Sequence, residues 1–194
     1  MHSQVGQDMF AYFMSETNSG YFLDIGSCEP TIINNSFSLE QQGWEGLCFD
    51  IVDRSEEYDT MRKTKLIAED VTKIDFLELL KEKGSPKLID YISIDVDEAT
   101  EEFLKIFPFE EYQFRVITFE HDAYRQGEDF KIKSREFFKN LGYTLVCGDV
   151  NVNEGKPFED WYVNEKYVNK SKIDYLTCEN LHFPYILNKM MSYR

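Results

Sequence analysis

Short apolar runs alternate with amphipathic stretches along most of this 194-residue chain, and each change of period predicts an element. Val5, Met9, Phe10, Phe13 and Met14 recur at helical spacing and predict a helix over 4–15, covering one end of a sheet. Strands are expected at 21–25, 46–51, 66–68, 88–94, 114–119 and 143–147, with helices between them at 34–42, 55–63, 75–83, 100–107 and 131–141. Gly43, Gly84 and Gly142 stop three of these helices, and Pro108 stops a fourth. The run 88–94 is almost continuously apolar, which suits a central parallel strand buried on both faces. After Cys147 a glycine-containing connection leads to 158–163, close enough in sequence to return antiparallel.

Regular alternation of this kind predicts an α/β fold: a doubly wound, mostly parallel Rossmann-like sheet with helices on both faces and a final antiparallel strand. A chain of this length fits one domain. It divides into an N-terminal helix within 1–20, a core over 21–163 and an extension over 164–194. That extension, with Tyr175, Leu181, Phe183 and Tyr185, is aromatic-rich and reads as irregular.

On this scaffold Asp24, Asp50, Asp70, Asp95 and Glu120 each fall at or just past the end of a successive strand. In a parallel sheet those ends share the rim where α/β folds bind ligands. Acids there also open the following helices, but five in series point to a site. The sequence 21–30 leaves its strand through Asp24, Gly26 and a turn, where glycine permits close approach to the main chain. A dinucleotide would place its pyrophosphate there and needs closely spaced glycines. This turn offers Gly26, then Ser27, Cys28 and Glu29. S-adenosylmethionine carries a sulfonium and an ammonium and no phosphate, so acids suit it. Asp50 then stands where a carboxylate accepts both ribose hydroxyls.

Charge and composition narrow the partners. The formal net charge of −15 opposes a phosphate backbone, so nucleic acid is not an expected substrate. Arg62, Lys63 and Lys65 read as the charged face of a helix. No apolar run is long enough for a bilayer, and Met1-His2-Ser3-Gln4 begins neither a basic nor an apolar leader, so a cytoplasmic, membrane-free protein is expected. Cys28, Cys48, Cys147 and Cys178 lack metal or redox spacing, and Cys48 and Cys147 read as buried free thiols.

Four stretches together resemble one family: Ser3-Gln4-Val5-Gly6-Gln7-Asp8, the run 21–26, Asn35-Ser36 with Leu39-Glu40 and Gly43-Trp44, and the run 89–97. From Ser3 to His121 the chain is similar to the FkbM family of S-adenosylmethionine-dependent methyltransferases. The resemblance implies a class I methyltransferase fold, usually acting on a hydroxyl of a sugar or small natural product. Carried over by position, Asp24, Gly26 and Ser27 would hold the methionine part, Asp50 the ribose, and Asp70 and Val71 the adenine. Asp95 would face the amino group or the moving methyl, and Gln7 would close over the cofactor. Where the family often has a glycine and then a glutamate, this chain reads Asp97-Glu98-Ala99-Thr100-Glu101, which puts the acceptor side in question.

A hydroxyl acceptor calls for a base. His121, after the fifth strand and with an imidazole that ordinarily titrates near neutrality, is the first expected, and Asp97 the second. Asp95, Asp97, His121 and Asp122 also offer ligands to a divalent ion, an alternative that no spacing requires and that is not predicted. The aromatics of 158–162 suit either a sugar-stacking face or the core. Two other functions stay open: a non-catalytic nucleotide-binding domain and an NAD-dependent oxidoreductase.

Overall fold

The structure, a computed structural model, describes residues 2–152 and 156–194. Eight strands form one sheet: β1 (Tyr21–Ile25), β2 (Glu45–Asp50), β3 (Leu66–Ala68), β4 (Leu88–Ile94), β5 (Gln113–Glu120), β6 (Thr144–Asn151), β7 (Pro157–Val163) and β8 (Cys178–Glu179). Their order is β3-β2-β1-β4-β5-β7-β6-β8. β1 to β5 pair in parallel. β7 is antiparallel to both β5 and β6, which makes it the reversed strand expected at 158–163.

Two apolar layers flank the sheet because neighbouring residues of a strand face opposite ways. Phe22, Tyr91, Val116 and Trp161 pack on one side with Phe10 and Met14 of α1 (Gln7–Ser15), while Leu23, Ile92, Ile117 and Phe119 pack on the other. There they meet Phe76 of α4 (Phe76–Glu82), Phe103 of α5 (Thr100–Ile106) and, beyond the short α6 (Ala123–Gln126), Phe138 of α7 (Glu128–Asn140). Trp161 is fully buried with its ring 4.7 Å from that of Phe10. Truncating such a side chain costs about 3–5 kcal/mol. α1 thus lies over β4 and β5 on one face, not at an end of the sheet.

Several boundaries move for identifiable reasons. α1 starts at Gln7 because Gly6 is left-handed, at φ 97°, and the Ser3 hydroxyl accepts its amide. The helix expected over 34–42 is only α2 (Phe37–Gln41). Asn34 is spent on a loop: its Nδ2 donates to the Ser27 and Glu29 carbonyls, and its Oδ1 accepts the Ser36 and Phe37 amides. β6 runs on to Asn151, so much of the expected glycine-containing connection is strand, and its residues 153–155 lie outside the described residues. The extension is regular: α8 (Lys170–Leu176) buries Ile173 and Leu176, and α9 (Phe183–Ser192) buries Ile186 and Met190. Its aromatics disguised a helical period in the aliphatics.

Arg62 is no surface charge. It follows α3 (Ser55–Met61), its side chain is wholly buried, and its Nε lies 3.4 Å from Glu40 Oε2. Cys48 and Cys147 are buried free thiols. Among the described residues no helix is long and apolar enough to cross a membrane.

Candidate active site

The carboxyl ends of β1 to β4 enclose a crevice of about 550 Å³, within the range of small-molecule sites. Its walls are Gly26 and Cys28 after β1, Asp50 to Val52 at and after β2, Asp70 and Val71 after β3, and residues 95–99 after β4. The two central turns are locked together. The Gly26 and Ser27 amides both donate to the Phe49 carbonyl, and the Asp95 amide donates to the Ile25 carbonyl. Gly26 has φ 87°, and a Cβ there would stand 1.6 Å from the Asp95 carbonyl oxygen. The close neighbour that excludes a side chain is therefore the β4 turn itself.

Asp50 organises the next wall. Its two oxygens accept the Cys28 and Val52 amides at 2.8 Å each, which steadies Cys28 in its left-handed conformation at φ 48°. A carboxylate has about four acceptor positions, so Asp50 retains capacity for a ligand. Asp70 receives the Thr72 hydroxyl and amide and lies 3.0 Å from Lys73 Nζ. Bonds from Thr72, then Lys73, hold its carboxyl down at about 2.

From the crevice lining inward the strand register assembles a row of acids, half-buried at Asp95 and Glu120 and fully buried at Glu159. Ile94 pairs with Phe119, which brings Asp95 beside Glu120, and Glu120 pairs with Glu159 of β7. Burial raises the proton affinity of both Asp95 and Glu120; the charge of Asp95 and the hydrogen bond between them raise Glu120 further, while that same bond lowers Asp95 against the push of burial and of Asp97, Asp122 and Asp50. Two carboxyls so placed hold a proton between them. Glu159 accepts the Trp161 indole N–H and the Gln7 Nε2 amide, yet burial pushes it up to about 8.

A family model described as a methyltransferase FkbM domain matches residues 21–145, most of the chain. The chain belongs to the FkbM methyltransferase family. Membership makes it an S-adenosylmethionine-dependent methyltransferase. Solved structures share the fold of this FkbM enzyme at low identity. An rRNA methylase from Streptococcus thermophilus superposes with a TM-score of 0.52 at 12% identity, over 84% of this chain and 98% of that one. The magnesium protoporphyrin IX methyltransferase of Synechocystis PCC 6803, solved with bound S-adenosylmethionine, gives 0.53 at 12% identity, over 81% and 76%. The O-methyltransferase from Bacillus cereus, in complex with S-adenosylhomocysteine, gives 0.50 at 15%, over 84% and 81%. No curated protein sequence matches the chain.

Of the positions expected to touch the cofactor, Gly26, Asp50, Asp70, Val71 and Asp95 gather in the crevice of the FkbM enzyme, and Asp97 joins them on its rim. Asp24, Ser27 and Gln7 do not line it. Asp24 is buried one residue short of the end of β1, where the Ser36 hydroxyl donates to it at 2.6 Å and burial pushes it up to about 6. Arg62 Nη2 in turn donates to Ser36 Oγ at 3.2 Å, so Asp24 anchors the loop before α2. The Ser27 hydroxyl accepts that of Tyr58. Gln7 is fastened at both ends, to the Val5 amide and to Glu159.

His121 is buried outside the crevice lining. Its Nδ1 accepts the Ala123 amide, and its Nε2 lies 3.5 Å from Asp160 Oδ1 and 3.8 Å from Asp149 Oδ1. Burial pushes Asp160 upward, but bonds from Arg135 and His121 outweigh it and hold the carboxyl well below the usual range. Arg135 also meets Asp149, as does Lys131. Of the residues weighed as metal ligands, His121 groups with Asp149 and Asp160, whose charges already have cationic partners, Asp95 and Asp97 face the crevice, and Asp122 is buried with its Oδ2 3.2 Å from Arg125 Nη1. Glu159 went unassigned in the sequence because only the strand order reveals that it stands opposite Glu120.

Proposed function

We propose that this FkbM methyltransferase moves a methyl group from S-adenosylmethionine to a hydroxyl of a small molecule or sugar. The observation that carries the reading is the row of acids Asp95, Glu120 and Glu159, which runs from the lining of an acidic crevice into the sheet. The residues fit the donor: the crevice lining includes no Lys or Arg among the described residues, and its acids suit ribose hydroxyls and cationic groups. Asp50 would hold the ribose, Asp70 and Val71 the adenine, and Asp95 the amino group. The donor supplies an activated methyl on sulfonium. The protein's own tasks are then to align the acceptor and take its proton.

Glu120 is assigned that proton. It neighbours Asp95, and a cationic donor in the crevice would lower the proton affinity of the pair and so free Glu120 to accept a proton from a hydroxyl. We assign the base to Glu120 in preference to His121, whose ring lies outside the crevice lining, against the Ala123 amide and Asp160; Asp97 on the rim is the second candidate. A net charge of −15 supports a small or saccharide acceptor over nucleic acid. The proposed active unit is one domain over 1–194, working in the cytoplasm.

Calorimetry with S-adenosylmethionine, S-adenosylhomocysteine and NAD tests the donor. Both sulfur ligands are expected to bind, and binding of NAD alone would refute the reading. Mass spectrometry of a panel of hydroxylated acceptors then tests transfer. Glu120→Gln should bind S-adenosylhomocysteine normally and lose turnover; full turnover would remove Glu120 from the mechanism.

A further inference from the structure

β6 and the short edge strand β8 run parallel, with Cys147 directly opposite Cys178 and Gly148 opposite Glu179. The alignment continues beyond β8: the Asn180 amide donates to the Gly148 carbonyl at 2.8 Å and the Asn151 amide to the Leu181 carbonyl at 3.2 Å. Register partners on neighbouring parallel strands send their side chains to the same face. Strands lie about 4.8 Å apart, inside the Cα separation of about 4.4–6.8 Å that a disulfide spans. Both thiols are free, and Cys178 is only half-buried whereas Cys147 is fully buried.

We propose that Cys147 and Cys178 form a reversible disulfide by exchange with a low-molecular-weight disulfide such as oxidised glutathione. The Cys178 thiolate, reachable at the sheet edge, attacks one glutathione sulfur and expels the first glutathione thiolate. Cys147 then attacks the Cys178 sulfur of that mixed disulfide and expels the second. Two electrons pass from the protein to the glutathione disulfide, two molecules of reduced glutathione leave, and the two thiol protons go to them.

The neighbours support this order of events. The bond from Cys147, followed by the charge of Lys189, holds the Cys178 thiol below its ordinary range. Burial pushes the Cys147 thiol well up, with Cys178 and Glu159 adding to that and Lys189 opposing it, so the second displacement sets the rate. The other two cysteines have no such partner. Cys28 is exposed in the crevice wall, and Cys48 lies beside Ser36 Oγ and Arg62 Nη1. The bond would tie the connection between α8 and α9 to the sheet. Because Leu187 of α9 packs on Gly6, it would also steady the turn that precedes Gln7.

The test uses the intact, folded protein. After exposure to oxidised glutathione and alkylation of remaining thiols, a tryptic digest without reductant should contain peptides 140–166 and 173–189 joined. Their mass should be two hydrogens below the sum, both alkyl groups should be lost, and the link should disappear with dithiothreitol. These peptides carry Cys147 and Cys178 and no other cysteine. Three results overturn the proposal: Cys178 retaining glutathione, both cysteines remaining alkylated, or linkage appearing only in urea.

Discussion

Replacing Asp50 by alanine separates what this carboxylate does for the fold from what it does for the donor. In the free protein it accepts the amides of Cys28 and Val52, two exposed residues whose freed N–H groups water can reach. Hydrogen bonds to a charged group are worth about 1.5–3 kcal/mol each, and replacement by water brings the combined loss of stability down to about 1–2 kcal/mol. Donor binding should suffer more. Two ribose hydroxyls on one carboxylate, at about 1.5 kcal/mol apiece, amount to roughly 100-fold in affinity. Urea denaturation of the free protein measures the first effect, and calorimetry with S-adenosylhomocysteine the second. Asp50→Asn, which retains one carboxamide oxygen as acceptor, should fall between. A dissociation constant within about threefold of wild type in Asp50→Ala, less than 1 kcal/mol, would remove Asp50 from the donor site.

Arg62→Ala leaves Glu40 and Asp24 buried without their cation and should cost about 3 kcal/mol in urea denaturation, the low end for a broken buried pair because the Lys63 and Thr64 amides still reach Glu40. A loss below about 1 kcal/mol would show that the pair is not needed for stability. Glu159, raised to about 8 from 4.5, keeps a proton in the fold that the unfolded chain releases. Its contribution to stability should therefore fall between about pH 5 and pH 8, by roughly 1.4 kcal/mol per pH unit at most. Glu159→Gln mimics the neutral form and should flatten that stretch of the pH profile of urea midpoints; an unchanged slope would refute the assignment.

The alternating architecture was legible because each central strand is a short apolar run closed by a turn, as in β1 and β4. The rim was legible only in part. Asp50 and Asp95 stand at or past the last paired residue and reach the crevice, whereas Asp24 still pairs within β1, opposite Cys48 and Ser93, and is buried away from the crevice. A count of acids near strand ends does not make that distinction. Asn34 and Ser36 misled for another reason: Asn34 binds the backbone of its own loop and Ser36 reaches across to Asp24, yet such polar residues look like the first turn of a helix. The pairing of Glu120 with Glu159 depends on β7 inserting between β5 and β6, a topological fact that local patterning does not encode.

The bond between Gln7 and Glu159 joins residues 152 positions apart. During synthesis the parallel strands β1 to β5 emerge well before the hairpin that delivers Glu159, so a nascent chain can wind most of its sheet while the acid row is still incomplete. If the proposed acid row serves the reaction, competence arrives late, with the docking of β7, and a ribosome-stalled chain lacking that strand would have Glu120 without its partner Glu159.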